Sequence, residues 1–329
     1  MCIRDRDEIA AISSSIGSAF GGTLAVTGTS GPGLDLKSEA IGYAVMTELP
    51  VVVVDIQRGG PSTGLPTKSE QTDLLAAMYG RHGEAPVPVI AAATPGDCFY
   101  IMLEAFRLAL KYMTPVIVLS DGGLSNASEP WKIPDENNFP DLKPEFHTEQ
   151  ANFSPYQRNQ ETLARNWAIP GTPGLQHRLG GLEKHSVTGE ISYDPENHER
   201  MVLLRDEKIK RIKNDLPPLE IIGPGKNEIL VVSWGSVYGP AFSAIKELQE
   251  QGHPVSMVQL RYLNPFQNNL ADILKNFEKV LVPEMNLGQL SSMLRSEFLV
   301  DTIPFSKVQG RPFLISEIRS RILELLDEK

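Results

Sequence analysis

Three short stretches carry residue types that could do chemistry. The first is Thr27-Gly28-Thr29-Ser30-Gly31-Pro32-Gly33. Its glycines allow close backbone approach, and its hydroxyls and free amides near a helix start could hold an anionic or polar ligand. The same spacing fits a tight strand-to-helix turn with Ser30 as a capping residue. No Gly-Lys-Ser/Thr follows, so it is not a P-loop. Glycine is missing two residues after Ser30, which counts against a nucleophile elbow and a serine hydrolase. The second stretch is Gln57-Arg58-Gly59-Gly60-Pro61-Ser62-Thr63-Gly64-Leu65-Pro66-Thr67. Arg58 there could grip a carboxylate through two parallel hydrogen bonds. The third is Tyr79-Gly80-Arg81-His82-Gly83-Glu84, with His82 in a turn. Glu8 stands before the apolar-periodic run Ile9 to Phe20, where an acidic residue complements a helix dipole. Glu183 and His185 could move protons, but no spacing ties them to a site. His147, His177, His185 and His198 show no metal-ligand spacing.

The elements that must position these residues read as alternating strands and helices. Leu24 to Thr27, Val51 to Asp55, Pro88 to Ala93 and Pro115 to Asp121 are short, β-branched or apolar runs, the mark of buried parallel strands. Ser38 to Thr47, Lys68 to Tyr79 and Asp97 to Tyr112 have helical spacing. Strands alternating with helices predict a parallel sheet with helices on both faces. The loop bearing Arg58 then lies beyond the carboxyl end of a strand, where ligands bind in such sheets. From about Glu136 to Gly223, proline, asparagine, glycine and histidine dominate and strand runs stop. One helix stands out, Pro195 to Ile212, with Arg205, Glu207, Lys208 and Lys210 on its expected exposed face. A connector that long is unlike an idle loop and suits packing on another subunit. The α/β pattern resumes with strands at Ile229 to Gly235, Val255 to Leu260 and Lys279 to Glu284, a helix at Ala241 to Gln251, and a strand and helix within Phe313 to Leu326. The expected units are 1–135, the connector 136–222, and 223–329.

The 329 residues are 41% hydrophobic and 22% charged, with a net charge of −10. Such a balance gives a globular chain with real cores and argues against nucleic acid or an anionic membrane surface as partner. No apolar run is long enough to span a bilayer. The two cysteines, Cys2 and Cys98, form no CxxC pair, so neither a disulfide framework, a structural zinc nor an iron–sulfur cluster is expected on this chain alone. A cytoplasmic location fits, and no metal ligand is assigned here.

Taken in order, these motifs resemble a known family. The glycine-rich turn at Thr27, Glu48-Leu49-Pro50 with the strand and Arg58 loop, and Tyr79 to Glu84 are similar to the alpha subunit of 2-oxoglutarate:ferredoxin oxidoreductases. The likeness continues through Ala93 to Phe99, Ser120-Asp121-Gly122 and Tyr193 to Met201. Ser233-Trp234-Gly235-Ser236 and Pro283 to Leu290 resemble the family's transketolase C-terminal-like domain. It covers nearly the whole chain from Asp7.

The resemblance implies a thiamine-diphosphate-binding-type parallel sheet at 1–135, holding the cofactor's aminopyrimidine ring, and a transketolase C-terminal-like α/β domain at 223–329. It implies oxidative decarboxylation of 2-oxoglutarate to succinyl-CoA with coenzyme A, electrons passing to ferredoxin. Thiamine diphosphate would be shared with a beta subunit carrying the diphosphate site, Mg2+ and a [4Fe-4S] cluster, in an (alpha-beta)2 hetero-oligomer. Glu8 matches the glutamate that hydrogen-bonds the aminopyrimidine, where burial would favour the neutral carboxyl. Arg58 matches the arginine for the substrate carboxylate, Thr29 and Ser30 line the cofactor cleft, and His82 is a further substrate candidate. The family's upstream Tyr-Pro-Ile-Thr-Pro-type loop has no counterpart here, and Met1 to Arg6 do not resemble it. A truncated chain lacking its first strand is therefore expected. Two other readings stay open: a transketolase or 2-oxoacid dehydrogenase E1-like component, and a non-catalytic structural subunit.

Overall fold

Val51, Val52 and Val53 are all fully buried, yet their side chains go to two different cores. That alternation is the period of a strand covered on both faces. A computed structural model describes residues 7–328 of the chain; Cys2 and the rest of 1–6 lie outside it. In chain order the elements are α1 (Glu8–Phe20), β1 (Ala25–Thr29), α2 (Gly31–Thr47), β2 (Val51–Gln57), α3 (Leu74–Tyr79), β3 (Val89–Ala91), α4 (Asp97–Tyr112), β4 (Val116–Asp121) and α5 (Gly122–Asn126). After the connector come α6 (Pro195–Arg211), β5 (Asn227–Trp234), α7 (Tyr238–Glu250), β6 (Val255–Leu260), β7 (Tyr262–Asn264), α8 (Leu270–Lys275), β8 (Phe277–Glu284), α9 (Gln289–Phe298), β9 (Thr302–Ser306) and α10 (Ile315–Asp327).

The first sheet runs β1-β2-β4-β3-β7 and the second β6-β5-β8-β9. Every pairing is parallel except β7 on β3. Parallel sheets need cover on both faces, and three apolar clusters supply it. One cluster lies between the sheets and unites Ile12, Leu34, Val51 and Leu74 with Leu230, Val232, Trp234 and Val282. The outer face of the first sheet packs on α4 and α6, the outer face of the second on α7 and α10. The predicted α/β class with helices on both faces is what is found. β1 forms one edge, where Val26 remains 47% exposed.

Several elements differ from the sequence reading. α2 starts at Gly31, a full two turns before Ser38, because Pro32 presets a helical φ in its first turn. α3 begins only at Leu74; residues 68–73 form a bend and a turn instead, because their polar groups bond outward, Gln71 to the second sheet, as described below. β7 was not foreseen: three residues are too few to show periodicity. The last strand lies at Thr302–Ser306, upstream of the expected segment.

The connector corrects another expectation. Arg205 and Lys208 were assigned to the solvent face of α6, but they are 6% and 2% exposed. Lys208 reaches Glu48, which ends α2 in a left-handed conformation and is itself buried. Arg158 closes on the same carboxylate with Nη1 at 2.9 Å and Nη2 at 2.6 Å. Arg205 faces Glu183 at 3.7 Å, and Glu183 also bonds His198 Nδ1 at 2.8 Å. Arg158, Arg165 and Lys184 all stand within about 6 Å of the buried Tyr156 ring. Thus the irregular segment docks through charge on the end of α2 remote from Ser30.

Burial alone would raise the Glu48 pKa; the charges of Lys208 and Arg158 outweigh it and hold the carboxyl well below the usual carboxylate range. A pKa lowered by folding gives stability that is complete above the unfolded value, about 4.3, and is lost as pH falls through the folded value. Glu48→Gln leaves two buried cations without a counter-charge. We expect it to cost roughly 3–5 kcal/mol in denaturant unfolding at neutral pH, with a shallower loss of stability on acidification than the parent shows. An unchanged midpoint would show that the connector is held by something else.

Candidate active site

The carboxylate of Glu8 sits where three elements meet. Asp7 caps α1 with its side chain, accepting from Ala10 N at 2.7 Å, so Glu8 opens the helix. Thr29 ends β1, and its Oγ1 donates to Glu8 Oε2 at 3.0 Å. Lys37 of α2 bonds the same oxygen and also donates to the Glu8 carbonyl at 2.9 Å. Lys37 is fully buried, whereas the Glu8 side chain is 35% exposed. The geometry therefore leaves one carboxylate fixed from behind by an ammonium and a hydroxyl, with its open side toward solvent. In this chain the Glu8 side chain is partly exposed and paired with the buried Lys37, rather than enclosed on all sides.

Gly33 makes this approach possible. A Cβ there would stand 2.0 Å from Thr29 Oγ1 and 2.8 Å from the Glu8 carboxyl carbon. Ser30 is the first residue before α2, but its hydroxyl does not cap the helix; its carbonyl instead accepts from Gly33 N and Leu34 N, each at 2.8 Å. The hydroxyl is therefore left for another partner, beside Thr29 at the mouth of the site.

Arg58 follows the last residue of β2, half-buried, and forms no ion pair among the described residues. Its loop is closed by Gly59 N to the Lys68 carbonyl at 3.0 Å and Leu65 N to the Gly59 carbonyl at 2.7 Å. The returning segment is held by the second sheet. Gln71 Nε2 donates to the Trp234 carbonyl at 2.9 Å, Met285 N to Gln71 Oε1 at 3.0 Å, and Asn286 Nδ2 to the Gln71 carbonyl at 2.7 Å. Asp121, at the end of β4, accepts from Ser69 Oγ at 2.8 Å and from Ser236 N at 3.2 Å. Asp73 begins α3 and lies against Gly31, the first residue of α2.

Of the residues singled out by sequence, Glu8 and Thr29 touch, and Ser30 adjoins them. Arg58 belongs to the same end of the first sheet, linked through the Asp73 segment. His82 is exposed in the turn after α3 and makes no hydrogen bond or ion pair among the described residues, so nothing joins it to this group. Lys37 was missed. Its signal lay in the pattern: Leu34, Lys37, Ile41, Ala44 and Val45 form the buried stripe of α2, and a lysine within an apolar stripe needs a buried partner.

A parallel sheet with ligand-ready groups beyond its strand ends, joined to a second parallel α/β unit, defines the thiamine-diphosphate-binding and transketolase class of folds. Solved transketolase chains share it: the inactive beta4 tetramer of a split-gene transketolase superimposes over 97% of this chain and 81% of its own, with a TM-score of 0.53 at 13% identity. The likeness becomes specific elsewhere. Residues 1–193 match the family described as pyruvate flavodoxin/ferredoxin oxidoreductase, thiamine diphosphate-binding, and 227–313 match the pyruvate:ferredoxin oxidoreductase core domain II. This chain belongs to that oxidoreductase family.

Among relatives, 2-oxoglutarate oxidoreductase subunit KorA of Mycobacterium tuberculosis is 55% identical over 95% of this chain and 48% of its own length. 2-Oxoglutarate synthase subunit KorA of Archaeoglobus fulgidus is 36% identical over 88% and 75%. The 2-oxoglutarate:ferredoxin oxidoreductase of Magnetococcus marinus, solved with 2-oxoglutarate, coenzyme A and succinyl-CoA bound, superimposes with a TM-score of 0.93 at 36% identity, over 98% of this chain and 57% of that one. The chain thus spans about half the length of the first of these relatives.

Gly33→Ala tests the packing of the site. Alanine favours a helix by about 1 kcal/mol over glycine, yet here its methyl group displaces Thr29 or Glu8. A net loss of roughly 1–3 kcal/mol in unfolding free energy is expected. A gain in stability would contradict the geometry.

Proposed function

We propose that this chain acts as the alpha subunit of a thiamine-diphosphate-dependent 2-oxoacid:ferredoxin oxidoreductase. The reaction is oxidation of 2-oxoglutarate with coenzyme A to succinyl-CoA and carbon dioxide, with two electrons leaving toward ferredoxin. The observation that carries this reading is Glu8: a carboxylate with one side anchored by Thr29 and Lys37 and the other open. Such a group suits a ring nitrogen whose proton must be held and returned. The names of the relatives, 2-oxoglutarate oxidoreductase, 2-oxoglutarate synthase and 2-oxoacid:ferredoxin oxidoreductase subunits, favour this substrate class.

The residues present fit the aminopyrimidine side of the cofactor. Glu8 would hold the ring, with Thr29 and Ser30 beside it. When bound, thiamine diphosphate supplies the carbon nucleophile and electron sink that decarboxylation requires. Glu8 would accept and release a proton at Oε1, since Oε2 is taken by Thr29 and Lys37. Lys37 and Thr29 keep that carboxylate from turning inward. Arg58 takes the carboxylate of the oxoacid, a planar bidentate match. The diphosphate site, Mg2+ and the [4Fe-4S] cluster are assigned to a beta subunit in an (alpha-beta)2 assembly, in a cytoplasmic setting.

The test is reconstitution with a beta-type partner and an assay of 2-oxoglutarate-dependent, coenzyme A-dependent reduction of ferredoxin or viologen. Glu8→Ala should lower kcat by about 10²–10⁴-fold. Arg58→Lys should raise KM for the oxoacid by roughly tenfold with a smaller change in kcat. Full activity in both Glu8→Ala and Arg58→Ala would sink the catalytic assignment and leave a structural subunit.

A further inference from the structure

A second pair of acidic groups lies next to the Glu8 site and has no part in the mechanism above. Asp55, on β2, is the register neighbour of Thr29 on β1. Its side chain is fully buried and neither oxygen receives a hydrogen bond from any described residue. Asp73 is brought beside it by the backbone: Asp73 N donates to Gln57 Oε1 at 3.1 Å, and Gln57 lies two residues along β2 on the same face as Asp55. Asp73 occupies the cap position of α3 but does not cap it; its carboxyl lies against the start of α2 instead, and its Oδ2 is buried without a donor. Both Asp73 oxygens press on the first residue of α2, within 2.6–2.7 Å of where a Cβ on Gly31 would stand.

Two ionised carboxylates cannot lie in contact away from water without donors. The other charged groups facing them do not remove the problem. Asp35 from α2 and Glu70 from the loop add negative charge, which Arg58 opposes. Burial and then the contact with Asp73 push the Asp55 carboxyl well above its usual range. The net effect lifts Asp73 to about 6: burial is the largest cause, Asp35 and Glu70 add to it, and Asp55 and the charge of Arg58 oppose it. The two carboxyls are displaced in the same direction, toward the neutral form, and so titrate together.

The placement tells what the proton does. The Arg58 loop leaves β2 at Gln57 and returns at Asp73. Gln57 bonds both the Ser120 carbonyl, at 3.0 Å, and Asp73 N, at 3.1 Å. The Asp55–Asp73 contact fastens the same return point to β2 and to the start of α2. We propose that Asp55 and Asp73 share one proton and act as positioning residues that seat the Arg58 loop for the oxoacid carboxylate. When that proton is lost, mutual repulsion frees Asp73 and the loop, so oxoacid binding fails before the chemistry at Glu8 does. The inference rests on the reading of Arg58 given above.

Two measurements test it. The first needs no activity: infrared difference spectra of the full chain between neutral and alkaline pH. The wild type should lose the carbonyl band of one buried carboxylic acid; Asp55→Asn should show no such band, and Asp73→Asn should lose it at a lower pH than the wild type. A wild type without the band overturns the shared proton. The second is the pH profile of KM for 2-oxoglutarate in the reconstituted complex. Wild-type KM should rise about tenfold across the pH range in which the band disappears, while kcat moves little. Asp73→Asn, whose amide can donate to Asp55 at any pH, should keep neutral KM and lose the alkaline rise. Asp73→Ala should show the raised KM at every pH. If the band is present but both Asp73 variants keep the wild-type KM profile, the positioning role is wrong. A complex that never oxidises 2-oxoglutarate, with the band intact, refutes the functional reading and the Arg58 role together, while leaving the acid pair standing.

Discussion

Residues Ser69 to Leu75 belong to neither sheet, yet the site depends on how they are held. Gln71 is fully buried and uses its side chain and both backbone groups on Trp234, Met285 and Asn286. Gln289 adds two further bonds, to Leu75 N and the Thr72 carbonyl. Each of these buried polar groups would be costly without its partner, so the segment has one position only. That position fixes where the Arg58 loop returns and where Asp73 meets α2. The second sheet contributes no candidate catalytic side chain, but it holds the frame in which those of the first sheet work. The shared apolar layer between the sheets makes this frame rigid.

How much of this was legible in the sequence follows from which forces were local. The strand runs at Val51 and Val116, and α4, were readable because their apolar period is set by their own residues. The fold class followed from their alternation with helices. Glu8, Thr29, Ser30 and Arg58 came from motif order and family resemblance; spacing alone left each with an ordinary alternative. What was not legible depends on partners far along the chain. Lys37 answers Glu8 29 residues away, and Lys208 answers Glu48 160 residues away. Arg205 and Lys208 read as solvent-facing because charge on a helix is usually solvated; only a buried carboxylate opposite makes the inward position favourable. Residues 68–73 had helical spacing, but bonds to the second sheet outweighed that weak local preference.

The two acidic clusters beside α2 show how one fold sets different electrostatic conditions at short range. Glu8 has a buried ammonium behind it and water in front. Asp55 has a carboxyl beside it and no donor. The helix N-terminus lies between them, at Gly31 and Gly33, where the lack of side chains lets carboxyl groups approach the backbone from either side. The family model that matches residues 1–193, described as thiamine diphosphate-binding, includes both clusters.

The Glu48 contact also has a consequence for the order of assembly. Its partners Arg158 and Lys208 lie 110 and 160 residues downstream. Glu48 takes up its left-handed position only at the end of a completed α2, so the acceptor must exist before the donors can find it. Closing loops of that length is slow and brings no return until the ionic contact forms. The first four strands of the first sheet precede the connector in the chain, so they offer the platform on which the connector with α6 docks. In a chain emerging from the ribosome, the segment from Pro140 to Arg211 would spend its longest time as an exposed, charge-rich strap, kept soluble by the same cations that later become buried.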